Sequence, residues 1–118
     1  HREDLLKKPK IIENKINEAA LKINKINPDL YIPHPREDER ILDLLNENIT
    51  VINCPNGSED FVNKLALSNE IEVFTEKSGI VFDLNKKIKI SFIDLFNRFD
   101  KSEYDKFKNQ YKEFKKSN

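Results

Sequence analysis

Apolar residues recur along this chain in two rhythms, one helical and one strand-like, and the two alternate. Ile11, Ile12, Ile16, Ala19, Ala20, Ile23 and Ile26 fall at helical spacing with Lys, Glu and Asn between them, which predicts an amphipathic helix. Asn27-Pro28 ends it, because a residue before proline avoids the right-handed helical region. Leu30-Tyr31-Ile32 then reads as a short apolar strand, stopped by Pro33 and Pro35. Glu37 to Asn46 predicts a second helix, with Ile41, Leu42, Leu44 and Leu45 on its buried face. Ile49-Thr50-Val51-Ile52 is β-branched throughout and predicts a buried strand.

The second half continues the alternation. Pro55-Asn56-Gly57 is turn chemistry, and Gly57 or Ser58 can begin a helix whose first turn gains from Glu59 and Asp60. Phe61, Val62, Leu65 and Ala66 form its apolar stripe. Ile71-Glu72-Val73-Phe74 is a third strand, Ser78-Gly79 opens a short helix through Leu84, and Ile88 to Phe92 alternates like a fourth strand. Tyr104, Phe107, Tyr111 and Phe114 give a last helix an aromatic stripe on a Lys-rich background. No internal repeat and no interdomain linker is evident. Strands alternating with helices across short loops predict an α/β fold, a Rossmann-like parallel sheet with flanking helices, as one domain over 1–118. In such sheets ligands bind beyond the carboxyl ends of the strands, so the loops after Ile32, Ile52 and Phe74 are expected to meet there.

Composition narrows the chemistry. The 21 basic and 21 acidic residues balance, which removes any global field for nucleic acid or anionic membrane and requires a phosphate site to be built locally. The Lys-rich stretch 106–116 reads as a solvated helix face, because acidic residues interleave with the lysines. One cysteine, Cys54, and two scattered histidines leave no basis for an internal disulfide or a structural zinc. No apolar run is long enough to span a membrane and no signal-peptide pattern occurs, so a cytoplasmic location is the default. The chain opens His1-Arg2-Glu3-Asp4 and contains no Met, which reads as a fragment, a processed piece or the ordered part of a longer protein.

Three loops could carry chemistry. In Pro33-His34-Pro35-Arg36-Glu37, two prolines hold the backbone around a histidine, so that side chain can meet a ligand at low ordering cost. Arg36 adds a planar cation suited to phosphate, and the helix expected from Glu37 would point its N-terminus at the same place. A capped turn with a surface histidine is the plainer alternative. Cys54-Pro55-Asn56-Gly57-Ser58-Glu59 could border a base or ribose, or be an ordinary turn and N-cap. Thr75 to Gly79 sets Ser78 and Gly79 at a helix start, which is either a generic phosphate cradle or another N-cap.

The string Tyr31-Ile32-Pro33-His34-Pro35-Arg36-Glu37 resembles the His-Pro motif of the bacterial sialyltransferases that act on lipooligosaccharide. The strand Ile71-Glu72-Val73-Phe74 leading to Ser78 resembles that family's second, serine-containing motif, although Ser78-Gly79 stands where the family commonly has a Ser-Ser pair. The resemblance covers roughly 28–95. It implies the C-terminal, nucleotide-binding half of a GT-B glycosyltransferase, an enzyme that binds CMP-sialic acid and transfers sialic acid to a galactose-ended glycan. On that resemblance His34 contacts the CMP phosphate and serves as general acid to the departing nucleotide. Arg36 and Ser78 share the phosphate, and Pro35, Pro55 and Gly79 border the nucleotide. No metal or cofactor beyond the donor substrate is expected. The catalytic base is a carboxylate of an acidic-Gly motif, and no Asp-Gly or Glu-Gly occurs here, so the resemblance assigns it to an N-terminal domain outside this chain. Implied partners are the nucleotide-sugar donor, the glycan acceptor and that missing domain, with a homodimer left open and no nucleic acid. The implied workplace is the cytoplasm, with the surface of the inner membrane as an alternative. A different donor such as a UDP-sugar, or a Rossmann-type module that binds nucleotide without catalysis, are the competing functions.

Overall fold

Helix α1 runs Pro9–Ile26 and begins with a proline, whose fixed φ and missing N–H suit a first helical position. The computed structural model describes residues 9–34 and 37–117, without the side chains of 9–13. Ile16, Ala19, Ala20 and Ile23 are buried along one face of α1, as their spacing predicts. Each buried isoleucine contributes about 1.5–3 kcal/mol relative to exposure. The helix stops at Asn27, which takes a left-handed φ of 51° and returns its N–H to the Ile23 carbonyl at 2.8 Å. Asparagine tolerates that conformation better than most residues, and Pro28 prevents any continuation.

The chain then divides by its contacts into two compact units, His1–Pro55 and Asn56–Asn118. In the first, strand β1 (Leu30–Tyr31) pairs in parallel with β2 (Thr50–Val51), Leu30 opposite Thr50 and Tyr31 opposite Val51. A 3₁₀ segment, Glu39–Leu44, joins them where a longer α-helix is expected from the sequence. Asp38 explains the difference in part: its carboxylate accepts from the Arg40 N–H at 3.0 Å and binds the Arg40 guanidinium at 2.7 Å. That tight cap leaves six residues, a length at which 3₁₀ winding is common. The tighter turn also changes which side chains face inward. Ile41 is buried, whereas Leu44, expected inside, is 43 % exposed. The residues of β2 are exposed as well, against the expectation of a buried strand, because Ile49 just before it takes the core position.

In the second unit, α2 (Glu59–Ala66) precedes β3 (Glu72–Thr75), a 3₁₀ segment (Gly79–Asp83), β4 (Lys89–Phe92) and α3 (Lys101–Lys116). β3 and β4 pair in parallel from Glu72–Lys89 to Thr75–Phe92. The core is aromatic. Phe92 meets Tyr104, Phe107 and Tyr111 edge-on, and Phe82 meets Phe107, Tyr111 and Phe114 the same way. These are the geometries the ring quadrupole favours. Val81 packs with them, and Leu84 and Ile88 are also buried. The architecture is therefore α/β with two small parallel sheets among the described residues.

Both units repeat one arrangement, helix, strand, 3₁₀ segment and parallel strand, closed by an asparagine from the helix. Asn24 Nδ2 donates to the Leu44 carbonyl at 2.9 Å while its Oδ1 accepts from the Asn46 N–H at 2.8 Å. In the second unit Asn63 Nδ2 donates to the Asp83 carbonyl at 3.1 Å and Oδ1 accepts from the Asn85 N–H at 2.8 Å. Each clasp is followed by the same turn, Ile49 N–H to Asn46 and Ile88 N–H to Asn85, at 3.1 and 3.0 Å. An asparagine amide has one donor face and one acceptor face, which is what a carbonyl and an N–H two residues apart require. The absence of repeats expected from the sequence is thus corrected by a duplicated motif.

Candidate functional site

Because β1 and β2 are parallel, both carboxyl ends emerge on the same side of the first unit. Pro33 and His34 follow β1, and Asn53, Cys54 and Pro55 follow β2. Together with Glu37, Glu39 and Leu42 they line a hollow of about 260 Å³. The Pro33 and Pro55 rings, Leu42 and the half-buried Cys54 thiol give it apolar walls. His34, Asn53 and the two carboxylates supply the polar groups.

The loop after β1 turns sharply, with the Glu37 N–H donating to the His34 carbonyl at 2.9 Å. That turn swings Glu37 back toward the strand, where the Tyr31 hydroxyl donates to Glu37 Oε1 at 2.5 Å. A phenol fixed in a strand thereby orients a carboxylate at the hollow's edge. His34 is exposed. Pro35 and Arg36, two of the residues the sequence singles out, lie outside the described residues. Arg40, a nearby cation, is committed to Asp38 through both Nε and Nη2.

Of the residues expected at a nucleotide site, the structure brings His34 and Pro55 to this one hollow. Ser78 and Gly79 belong to the second unit. There the Ser78 hydroxyl accepts from the Ile80 N–H at 3.4 Å, capping the 3₁₀ segment, and a Cβ added at Gly79 would meet nothing within 4 Å. Glu37, Glu39, Asn53 and Leu42 are hollow-lining residues that the sequence reading assigns no binding role. Glu37 stands in the Pro-His-Pro-Arg-Glu string but reads there as a helix start.

The equivalent strand ends of the second unit are bridged by polar contacts. Glu76 Oε1 accepts from the Arg98 guanidinium at 2.9 Å and its Oε2 from the Leu95 N–H at 3.2 Å. Asp94 accepts from the N–H groups of Arg98 and Phe99, both at 3.0 Å. The Tyr104 hydroxyl donates to the Ile93 carbonyl at 2.5 Å. Burial, with the negative charges of Asp94 and Glu76 adding to it, pushes the Tyr104 hydroxyl up to about 12. Those contacts hold loop 94–100 across the ends of β3 and β4.

Among the described residues no group of three or more His, Cys, Asp or Glu side chains is gathered to hold a metal ion, and no helix is long and apolar enough to cross a membrane. Compared with models of known protein families, with curated proteins and with solved structures, the chain matches none.

Proposed function

We propose that this chain is the donor-binding part of a sialyltransferase, with a Rossmann-like fold of the GT-B kind, and that the hollow beyond β1 and β2 takes the nucleotide of CMP-sialic acid. The observation that carries the reading is the meeting of His34 and Pro55 at the carboxyl ends of two parallel strands, the place where sheets of this class bind ligands. The resemblance of Tyr31 to Glu37 to the His-Pro motif supplies the donor's identity.

The chemistry suits these groups. Breaking the bond between sialic acid and CMP leaves a phosphate whose charge grows as the bond lengthens, and a positioned imidazole can donate a proton or a hydrogen bond to it. In this reading His34 faces the phosphate, with Arg36 as its neighbouring cation. Glu37, held by Tyr31, and Glu39 accept hydrogen bonds from ribose hydroxyls, a role that suits carboxylates, whose charge would repel a phosphate. Transfer of the sialyl group goes to a galactose-ended glycan.

A nucleotide-binding module without catalysis is the second reading, favoured by the acidic wall of the hollow, which suits a nucleoside better than a charged phosphate. Calorimetric titration of CMP and UMP into the chain tests the nucleotide. Saturable CMP binding, weaker for UMP and at least about tenfold weaker for His34→Ala, supports the donor reading, since a lost contact to a charged phosphate carries that much. Equal binding of both nucleotides, or none, removes it. Hydrolysis of CMP-sialic acid that depends on His34 separates enzyme from sensor.

A further inference from the structure

The second unit carries a basic patch that nucleotide binding does not use. Along the chain, lysines and acidic residues alternate between 101 and 116, but winding them into α3 separates the signs. Lys108, Lys112, Lys115 and Lys116 are all exposed and stand at i, i+4, i+7 and i+8, one strip of the helix surface. Glu103 is taken up by Lys77 at 2.6 Å, Asp105 lies one turn before the strip, and Glu113 touches its edge at 3.9 Å from Lys116.

The turn before β4 extends the strip. Lys115 Nζ donates to the Ile88 carbonyl at 3.3 Å, and Lys86 Nζ donates to the Ser117 carbonyl and lies 4.6 Å from the Phe114 ring centre. These contacts lock the turn against the end of α3 and set the exposed Lys87 beside the lysine strip. Cations in a helix's last turn compensate its carbonyl end, which accounts for Lys115 and Lys116. That effect fades within the last turn; Lys108 lies over the Tyr104 ring at 4.9 Å, which leaves Lys87 and Lys112 without an account.

We infer that this patch is a docking surface for an anionic phospholipid bilayer. All six cations are lysines, compact hydrated charges that respond to the diffuse field of a headgroup layer; none is an arginine fork suited to reading single phosphates. The aromatic residues that could stack on nucleic-acid bases, Tyr104, Phe107 and Tyr111, are buried in the core. The same burial uses the apolar face of α3, so contact is electrostatic at the headgroups and not insertion of an amphipathic helix. Because the whole chain is charge-balanced, a local patch also sets which way the protein faces the bilayer.

Co-sedimentation with phosphatidylcholine vesicles, with and without phosphatidylglycerol, tests this. The chain binds only vesicles containing phosphatidylglycerol and is released as added salt shortens the screening length. Replacing Lys87, Lys112 and Lys116 together by Gln lowers partitioning at least about tenfold, each lysine near an anionic surface being worth several-fold. Replacing Lys25, Lys64 and Lys106 by Gln removes as much charge and leaves binding in place; each variant loses at least one last-turn cation, so thermal unfolding checks that both remain folded at the assay temperature. Equal binding to neutral vesicles, an equal loss in both variants, or tighter binding to a single-stranded oligonucleotide than to the anionic vesicles at the same salt overturns the inference.

Discussion

Asn63 does in the second unit what Asn24 does in the first: each amide bridges the carbonyl that ends a 3₁₀ segment and the N–H two residues later. Each therefore fixes the approach to the second strand of a parallel pair. In the first unit that strand, β2, leads directly to Asn53, Cys54 and Pro55 at the hollow.

Replacing either asparagine by Ala removes two hydrogen bonds to backbone groups, which is expected to cost about 1–3 kcal/mol. Aspartate keeps the acceptor but loses the donor, so Asn24→Asp and Asn63→Asp fall between wild type and Ala. Urea unfolding measures the totals. Amide exchange locates them: Asn24→Ala speeds exchange at Ile49 and Ile52, and Asn63→Ala at Ile88 and Ile93. Exchange unchanged in both variants would show that the clasps hold nothing.

The two glycines separate a strained position from an open one. Gly57 has a φ of 107°, and an added Cβ would lie 2.9 Å from Glu59 Oε2. Gly57→Ala is expected to lower stability by about 1 kcal/mol or more. Gly79 has open space around its Cα, so Gly79→Ala leaves stability unchanged or raises it by about 0.4–1 kcal/mol. Thermal melting of both variants checks the pair: equal destabilisation would show that the Gly57 backbone is not strained.

Tyr104 links stability to alkaline pH. Its hydroxyl ionises near 10 when unfolded but only at about 12 when folded, chiefly through burial. Between those values the folded state retains a proton that the unfolded state has released, so folding stability is fully present below pH 10 and falls as pH rises toward 12. Burial shifts Tyr111 in the same direction. The free energy of unfolding should therefore decline across this window, and Tyr104→Phe should flatten the decline while losing the hydrogen bond to Ile93. A decline of the same steepness in Tyr104→Phe would place its cause elsewhere.

Much of this architecture is legible in the sequence, and what is not has a physical reason. α1 and α3 are long enough for their periodic stripes to identify them, and Ile16, Ala19, Ala20, Ile23, Tyr104, Phe107 and Tyr111 are buried as their spacing predicts. The segment after His34 reads as an α-helix because its leucines and isoleucine suit one, yet the Asp38 cap and the short span give a 3₁₀ segment instead. The duplicated motif leaves only a faint trace, Leu45-Asn46 followed by Ile49 and Val51 against Leu84-Asn85 followed by Ile88 and Ile90. Its clasping partners, Asn24 and Asn63, are polar residues in helices far along the chain, where periodicity gives no hint of a tertiary bond. The part of Glu37 in the hollow was likewise hidden, since its orientation depends on Tyr31 across the turn. The lysine strip shows the reverse case: interleaved charges look mutually diluted in a line and separate once wound on a helix.

The hollow beyond β1 and β2 as the nucleotide site is the central claim, and mapping amide and side-chain NMR signals during CMP titration tests it most directly. The account predicts saturable shifts that are largest at His34, Glu37, Asn53 and Cys54, and that shrink together in His34→Ala while the fold is retained, since exposed loop substitutions change stability by only about half a kcal/mol. Shifts centred on other residues, or no saturable shift with CMP, would contradict it.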